Sequence, residues 1–265
     1  MSFQELIRKK WYEEKFVCVG LDPVVEKIPH HIQKDAIFLF NKAIIDATHD
    51  LVCAYKPNSA FYEAEGIEGL QALRRTVYYI KDTYPNIPVI LDAKRGDIGN
   101  TNDGYVKYAF EFLQADAITI HGYLGQRAMQ PFLDRSDKGI FVLARTSNPG
   151  AEEFQDLLVD SKQFYKIMSE HVLGLWSKNN NVGIVMGATN PDEILAIRML
   201  FPDSMLLIPG IGAQGGDVEV TVRNARKNFI LNSSRGIIYA SEKKDFADKA
   251  REEVIRLEKE IANYL

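Results

Sequence analysis

The chain has 265 residues, 46% of them hydrophobic and 26% charged, with a formal net charge of -4. That length suits one α/β barrel of ~250 residues, and the mixed, mildly acidic charge excludes a basic nucleic-acid-binding surface or a polybasic membrane anchor. Two cysteines, Cys18 and Cys53, are too few for a disulfide framework and lack CxxC zinc spacing, so both are expected to be reduced and buried. The opening segment MSFQELIRKKWYEEK has no apolar stretch of the signal-peptide kind, and no apolar run reaches the ~18 residues of a membrane span, so a soluble cytoplasmic protein is expected.

In chain order, eight short β-rich apolar runs alternate with longer segments of helical period: 16–21, 54–57, 89–94, 117–121, 139–145, 182–187, 205–209 and 228–232. Near-continuous apolar strands belong to parallel sheets covered by helices. Eight strand–helix alternations predict a closed (β/α)8 TIM barrel of the α/β class, with 1–265 as one domain. Between the second and third runs, Leu70, Leu73, Val77, Ile80 and Tyr84 recur at spacings of three and four, giving one apolar helix face. Asn190-Pro191-Asp192-Glu193 reads as a helix start, with Asn190 capping, Pro191 in the first position and Glu193 reaching back. The last segment repeats the helical pattern through Phe246, Ala250, Val254, Leu257, Ile261 and Leu265.

Barrel chemistry sits at the C-terminal strand ends. The third run is the most informative: Val89-Ile-Leu-Asp92-Ala-Lys94-Arg-Gly-Asp97 ends an apolar strand in charges. Side chains two apart share a face, so if Ile90 points into the barrel, Asp92 and Lys94 follow it toward the mouth. Taken alone, this is either an ion pair tethering a loop or part of a site. The second run ends in another lysine, Lys56, at the same level. Lys56, Asp92, Lys94 and Asp97 together form an alternating charge array of the kind that stabilises developing charge.

At these residues the chain resembles the orotidine 5'-monophosphate decarboxylase family. The run LDAKRGDIGNT matches that family's Asp-x-Lys-x-x-Asp signature, and the resemblance extends through Val19-Gly-Leu-Asp22-Pro, Lys56-Pro57-Asn58, Ala144-Arg-Thr-Ser147-Asn-Pro-Gly, Pro209-Gly-Ile-Gly-Ala-Gln214-Gly-Gly and Ser233-Ser-Arg235-Gly236, in the family's order. It implies decarboxylation of orotidine 5'-monophosphate to uridine 5'-monophosphate through a C6 carbanion that Lys94 protonates. Lysine suits that task, since an arginine with a pKa above ~12 is a poor acid. By the same resemblance Asp92 sits near the departing carboxylate, Lys56 balances the acids and contacts ribose, and Asp22 binds ribose hydroxyls. Ser147 binds the pyrimidine amide edge. Asp97, Ile98 and Thr101 reach into a neighbouring subunit's site, making the unit a homodimer. From the residues alone, Asp97 reads rather as a cap for the helix near Thr101 and Ser147 as part of a Thr-Ser-Asn-Pro-Gly turn, and Asp22 is open to reading as an Asp-Pro turn.

Phosphate binding has its own pattern. Gly210, Gly212, Gly215 and Gly216 can bring backbone amides to an anion, Gln214 can donate an amide proton, and Arg235 can fork onto phosphate oxygens beside Gly236, with Pro209 at the strand end. The following stretch of the fifth loop, Gly150-Ala-Glu-Glu-Phe154, reads as a lid. The five histidines form no metal-ligand spacing, and His121, at the end of the fourth run, is a candidate for lining the site. No metal and no organic cofactor are expected. Two other readings compete: a magnesium-dependent barrel decarboxylating a sugar-acid phosphate, against which Lys56 and Ser147 speak, and a non-catalytic nucleotide-binding barrel.

Overall fold

The computed structural model describes residues 1–211 and 215–265. Its eight-stranded sheet is parallel throughout, with strands β1 (Val17–Leu21), β2 (Ala54–Pro57), β3 (Ile90–Arg95), β4 (Ala117–Ile120), β5 (Gly139–Arg145), β6 (Val182–Met186), β7 (Met205–Pro209) and β8 (Phe229–Ser233). The sheet runs from β2 through β1 and β8 round to β3, and single bridges Tyr55–Val89 and Asn58–Asp92 close β2 onto β3. The expected (β/α)8 barrel is therefore the observed one. Three strands have the expected bounds, three differ by one residue at one end, and β3 and β8 are each shifted one residue onward, where a ladder bond rather than apolarity sets the limit.

Period-two alternation divides the core. Cys18, Ala54, Ile90, Ala117, Phe141, Val185, Leu207 and Ile230, one from each strand, fill the barrel interior. Val17, Val19 and Leu21 point the other way, onto Phe40, Ile44 and Ile45 of the helix Ala36–Thr48. Each such side chain contributes roughly 1.5–3 kcal/mol on burial. Both cysteines are free and buried. The helix Phe3–Tyr12, not foreseen from sequence, plugs the lower end. Ser2 and Glu5 form a capping box at its start, and Phe3 stacks edge-on against Phe141 with ring centroids 5.7 Å apart. Gly139 on β5 leaves no room for a Cβ beneath that ring.

The predicted apolar faces hold at their centres, while Leu70 and Tyr84 at the ends of the first are only half-buried. Leu73, Val77 and Ile80 are buried in the helix Gly66–Thr83, and Phe246, Ala250, Val254, Leu257 and Ile261 in the helix Phe246–Ala262. Leu265 lies past the last helix and is exposed. Asn190 occupies the cap position before the helix Pro191–Leu200 but makes no capping hydrogen bond; its amide donates instead to the Thr146 carbonyl at 3.3 Å.

The last helix also carries Glu258, whose Oε1 accepts from the amides of Phe16 (3.1 Å) and Val17 (2.8 Å) at the start of β1. Burial pushes this carboxyl up to about 7. A raised acid pKa means the fold favours the protonated form. Stability is then full below about pH 4 for this group and falls as pH rises through about 7, by on the order of 2 kcal/mol. Glu258→Gln keeps a neutral acceptor, so it is expected to remove this slope and to be more stable than the parent at pH 8. Urea unfolding at pH 5 and pH 8 measures it; identical pH dependence in both chains would refute the assignment.

Candidate active site

The third strand does not run straight to its end. Leu91 pairs with Ile118 on β4, but the next pairing is Arg95 with Ile120, so three residues bulge opposite Thr119. Within the bulge Lys94 adopts φ +46°. A lysine in the left-handed region carries strain on the order of 1–3 kcal/mol, which persists only where surroundings hold it and is commonest at functional sites.

The bulge places charge on the barrel floor above Ile90. Lys56 Nζ lies 2.8 Å from Asp92 Oδ2, and Lys94 Nζ lies 2.7 Å from Asp92 Oδ1. The Thr119 hydroxyl donates to Asp92 Oδ1 at 2.8 Å and accepts the Lys94 backbone N–H at 3.0 Å. The Lys56 side chain is 4% exposed and that of Asp92 11%, whereas that of Lys94 is 49% exposed and opens into the cavity above. Burial opposes the charge on Asp92, but Lys56 and then Lys94 outweigh it and hold the carboxyl well below its ordinary value. Burial likewise opposes the charge on Lys56, and Asp92 followed by Asp22 outweighs it, keeping the ammonium above the ordinary lysine value. Asp92 and Lys56 thus stay ionised as a buried pair, and Lys94 completes the alternating set at its open end.

The cavity over this floor holds about 470 Å³ and brings together Asp22, Lys56, Asp92, Lys94, Ser147, Pro209, Arg235 and Gly236 of the predicted set. Asp22 Oδ2 accepts from Ser234 Oγ at 2.6 Å, while its Oδ1 is buried with no hydrogen-bond partner. Ser147 is backed by Gly187, where a Cβ would fall 2.6 Å from the serine amide. Gly212 and Gln214 lie outside the described residues. Gly215 and Gly216 do not line this cavity; Gly210 and Ile211 do. Gly216 instead closes the neck of the loop, its N–H donating to the Gly210 carbonyl at 3.1 Å with Ala188 packed too close for a side chain. His121 is also absent from the lining, its ring packed over Gly96.

Asp97, Ile98 and Thr101 stand outside their own chain's cavity. Asp97 does not cap the helix Gly99–Val106: its Oδ1 accepts from the adjacent Ile98 amide at 2.7 Å, and Ile98 is 62% exposed. The fifth loop folds into a short helix, Glu152–Gln155, held by a two-pronged ion pair from Arg145 to Asp156 (2.9 and 3.0 Å) and by the Thr146 amide donating to Gln155 Oε1 at 2.8 Å. Three polar lining residues went unrecognised in the sequence: Thr119, Asn232 and Gln155. Asn232 follows the inward Ile230 by two, so strand phase alone points to it. Among the described residues no group of three or more His, Cys, Asp or Glu side chains is placed to hold a metal ion.

Comparison with known proteins agrees with this geometry. The model of the "Orotidine 5'-phosphate decarboxylase / HUMPS family" matches residues 15–250. A Flavobacterium johnsoniae orotidine 5'-phosphate decarboxylase is 46% identical over 270 residues, covering 100% of this chain and 98% of that protein. A Herpetosiphon aurantiacus protein of the same name is 50% identical over 239 residues, covering 89% and 88%. Among solved structures, Leishmania donovani OMP decarboxylase superposes with a TM-score of 0.84 at 35% identity, covering 97% of this chain and 99% of that one. The chain therefore belongs to the orotidine 5'-phosphate decarboxylase / HUMPS family, and its relatives mark it as a carboxy-lyase.

Proposed function

We propose that the protein decarboxylates orotidine 5'-monophosphate to uridine 5'-monophosphate, the step that forms uridylate in pyrimidine biosynthesis, without metal or organic cofactor. The observation that carries this reading is the Lys56–Asp92–Lys94 set, with contacts of 2.7–2.8 Å on the floor of a closed-bottomed cavity. The bond from C6 to the carboxylate breaks and its electron pair stays on C6, in the ring plane, where no π-system delocalises it. The Lys94 ammonium stabilises that charge and then delivers its proton to C6; solvent reprotonates the amine. Asp92, kept ionised by two lysines, faces the leaving carboxylate, and their repulsion falls as carbon dioxide departs. Lys56 fixes Asp92 and reaches toward the ribose.

The unpartnered Asp22 Oδ1 supports a role in accepting a ribose hydroxyl proton. Ser147 serves the pyrimidine amide edge. Gln214, Arg235 and the backbone around Gly212 and Gly236 hold the phosphate, and the loop at 150–156 covers the base. Asp97, half-buried, and Ile98 and Thr101, both exposed, complete the site of a second copy, so the working unit is a homodimer of single-domain chains. No helix among the described residues is long and apolar enough to cross a membrane, which accords with a cytoplasmic location.

Protein treated with EDTA and mixed with orotidylate tests the reading. Loss of orotidylate absorbance without added metal is expected; metal-dependent turnover of a sugar-acid phosphate, with none of orotidylate, would transfer the protein to the magnesium-dependent branch. Arg235→Ala is expected to raise KM for orotidylate and weaken uridylate binding by about 1.5–3 kcal/mol, roughly 10- to 100-fold, because charge-assisted hydrogen bonds to phosphate are lost. Calorimetric titration with uridylate checks this, and unchanged affinity would mean the phosphate sits elsewhere.

A further inference from the structure

We propose that Thr119 is a positioning residue for the reacting lysine, an inference that rests on the reading of Lys94 as proton donor. The hydroxyl sits 1% exposed in β4, opposite the bulge in β3. The bulge removes the Lys94 N–H from the ladder, and the part-buried amide takes another acceptor. Thr119 Oγ1 supplies it at 3.0 Å and donates its own O–H to Asp92 Oδ1 at 2.8 Å; Asp92 Oδ1 also accepts from Lys94 Nζ at 2.7 Å. The result is a closed ring: Lys94 N–H, Thr119 O–H, Asp92 carboxylate, Lys94 ammonium.

Its polarity has no freedom. The backbone amide can only donate and the ionised carboxylate can only accept, so the hydroxyl must do one of each. One side chain thus pins both ends of Lys94: the backbone at φ +46°, and, through Asp92, the charged tip. It also fixes the Asp92 rotamer, with Oδ1 turned to Lys94 and Oδ2 to Lys56. Thr119 lines the cavity from β4, four strands round the barrel from β8, which leads into the arginine assigned to phosphate, so its task is geometry at the reacting atom rather than affinity.

Valine has the shape of threonine without the hydroxyl, and serine keeps the hydroxyl without the methyl. Thr119→Val is expected to lower kcat about 10- to 100-fold, the usual cost of an ångström-scale misplacement. KM for orotidylate and Kd for uridylate should stay within about threefold, because the lost interaction acts on the transition state. Thr119→Ser should recover kcat to within about threefold of the parent, which a purely packing role would not produce. A valine variant with kcat within about twofold of the parent, a loss residing wholly in KM, or a serine variant as impaired as valine would each overturn the proposal. Should the valine chain fail to fold, as judged by its thermal transition and uridylate binding, Thr119→Ala against Thr119→Ser gives the same comparison. Parent turnover of orotidylate tests the underlying reading, whereas the variant-to-parent ratio tests the hydroxyl, so the two can fail separately.

Discussion

Replacement of Lys94 by alanine is expected to lower orotidylate turnover by at least about 10⁴-fold, the combined scale of losing a general acid and a positioned charge. The fold should survive. The Lys94 side chain is 49% exposed and its ion pair with Asp92 is partly open to water, so its removal is expected to cost no more than about 1 kcal/mol. Asp92 keeps Lys56 as partner in the variant, and the phosphate residues lie elsewhere in the cavity, so uridylate should still bind. The measurements are single-turnover loss of orotidylate absorbance, a thermal melt and calorimetric titration with uridylate. Turnover near the parent level would remove Lys94 from the role of proton donor and, with it, the carbanion mechanism.

The Asp92→Ala variant should fail in both stability and chemistry, and the contrast with Lys94 follows from burial. Lys56 is 4% exposed and its Nζ is held by Asp92 at 2.8 Å. Deleting the carboxylate leaves a buried ammonium largely uncompensated, which costs about 3–5 kcal/mol. It also leaves Lys94 and Thr119 without the oxygen on which both converge. Turnover is expected to drop by at least about 10²–10³-fold. Denaturant unfolding and steady-state kinetics on the same preparation give the two numbers. A variant as stable as the parent would mean that Lys56 finds another partner or sheds its proton at little cost, and the picture of an obligatory buried array would be wrong.

Much of this site was legible in the chain because strand ends advertise themselves. Asp92 and Lys94 break an apolar run, Lys56 does the same one strand earlier, and period-two phase sets Lys56 and Asp92 on one barrel floor, to which the bulge then brings Lys94. Thr119 and Asn232 carried only strand phase, two residues beyond the inward Ala117 and Ile230, and no break in charge. Each sits inside a strand, where a small polar residue reads as an ordinary member of a β-rich run, and each gains meaning only from what lies across the barrel. Gln155 was hidden for a different reason: it reaches the cavity through a loop whose path is set by the Arg145–Asp156 ion pair, a contact across 11 residues that no local pattern encodes. The phosphate loop shows the limit of composition. Four glycines promised backbone amides for an anion, yet Gly216 closes the loop neck while Gly210 lines the cavity, a division set by the packing of Ala188.

By itself the sequence determined the barrel, the inward and outward faces of its strands, the buried reduced cysteines and the identity of the charged floor. All of these follow from periodicity and from the cost of leaving charge on an apolar strand, which are properties of neighbours along the chain. The bulge in β3, the left-handed backbone at Lys94, the hydroxyl that holds it and the helix that plugs the barrel's lower end were decided only by the tertiary structure. These depend on which groups from distant segments compete for the same hydrogen bonds and the same space, and that competition exists only once the eight strands have closed on one another.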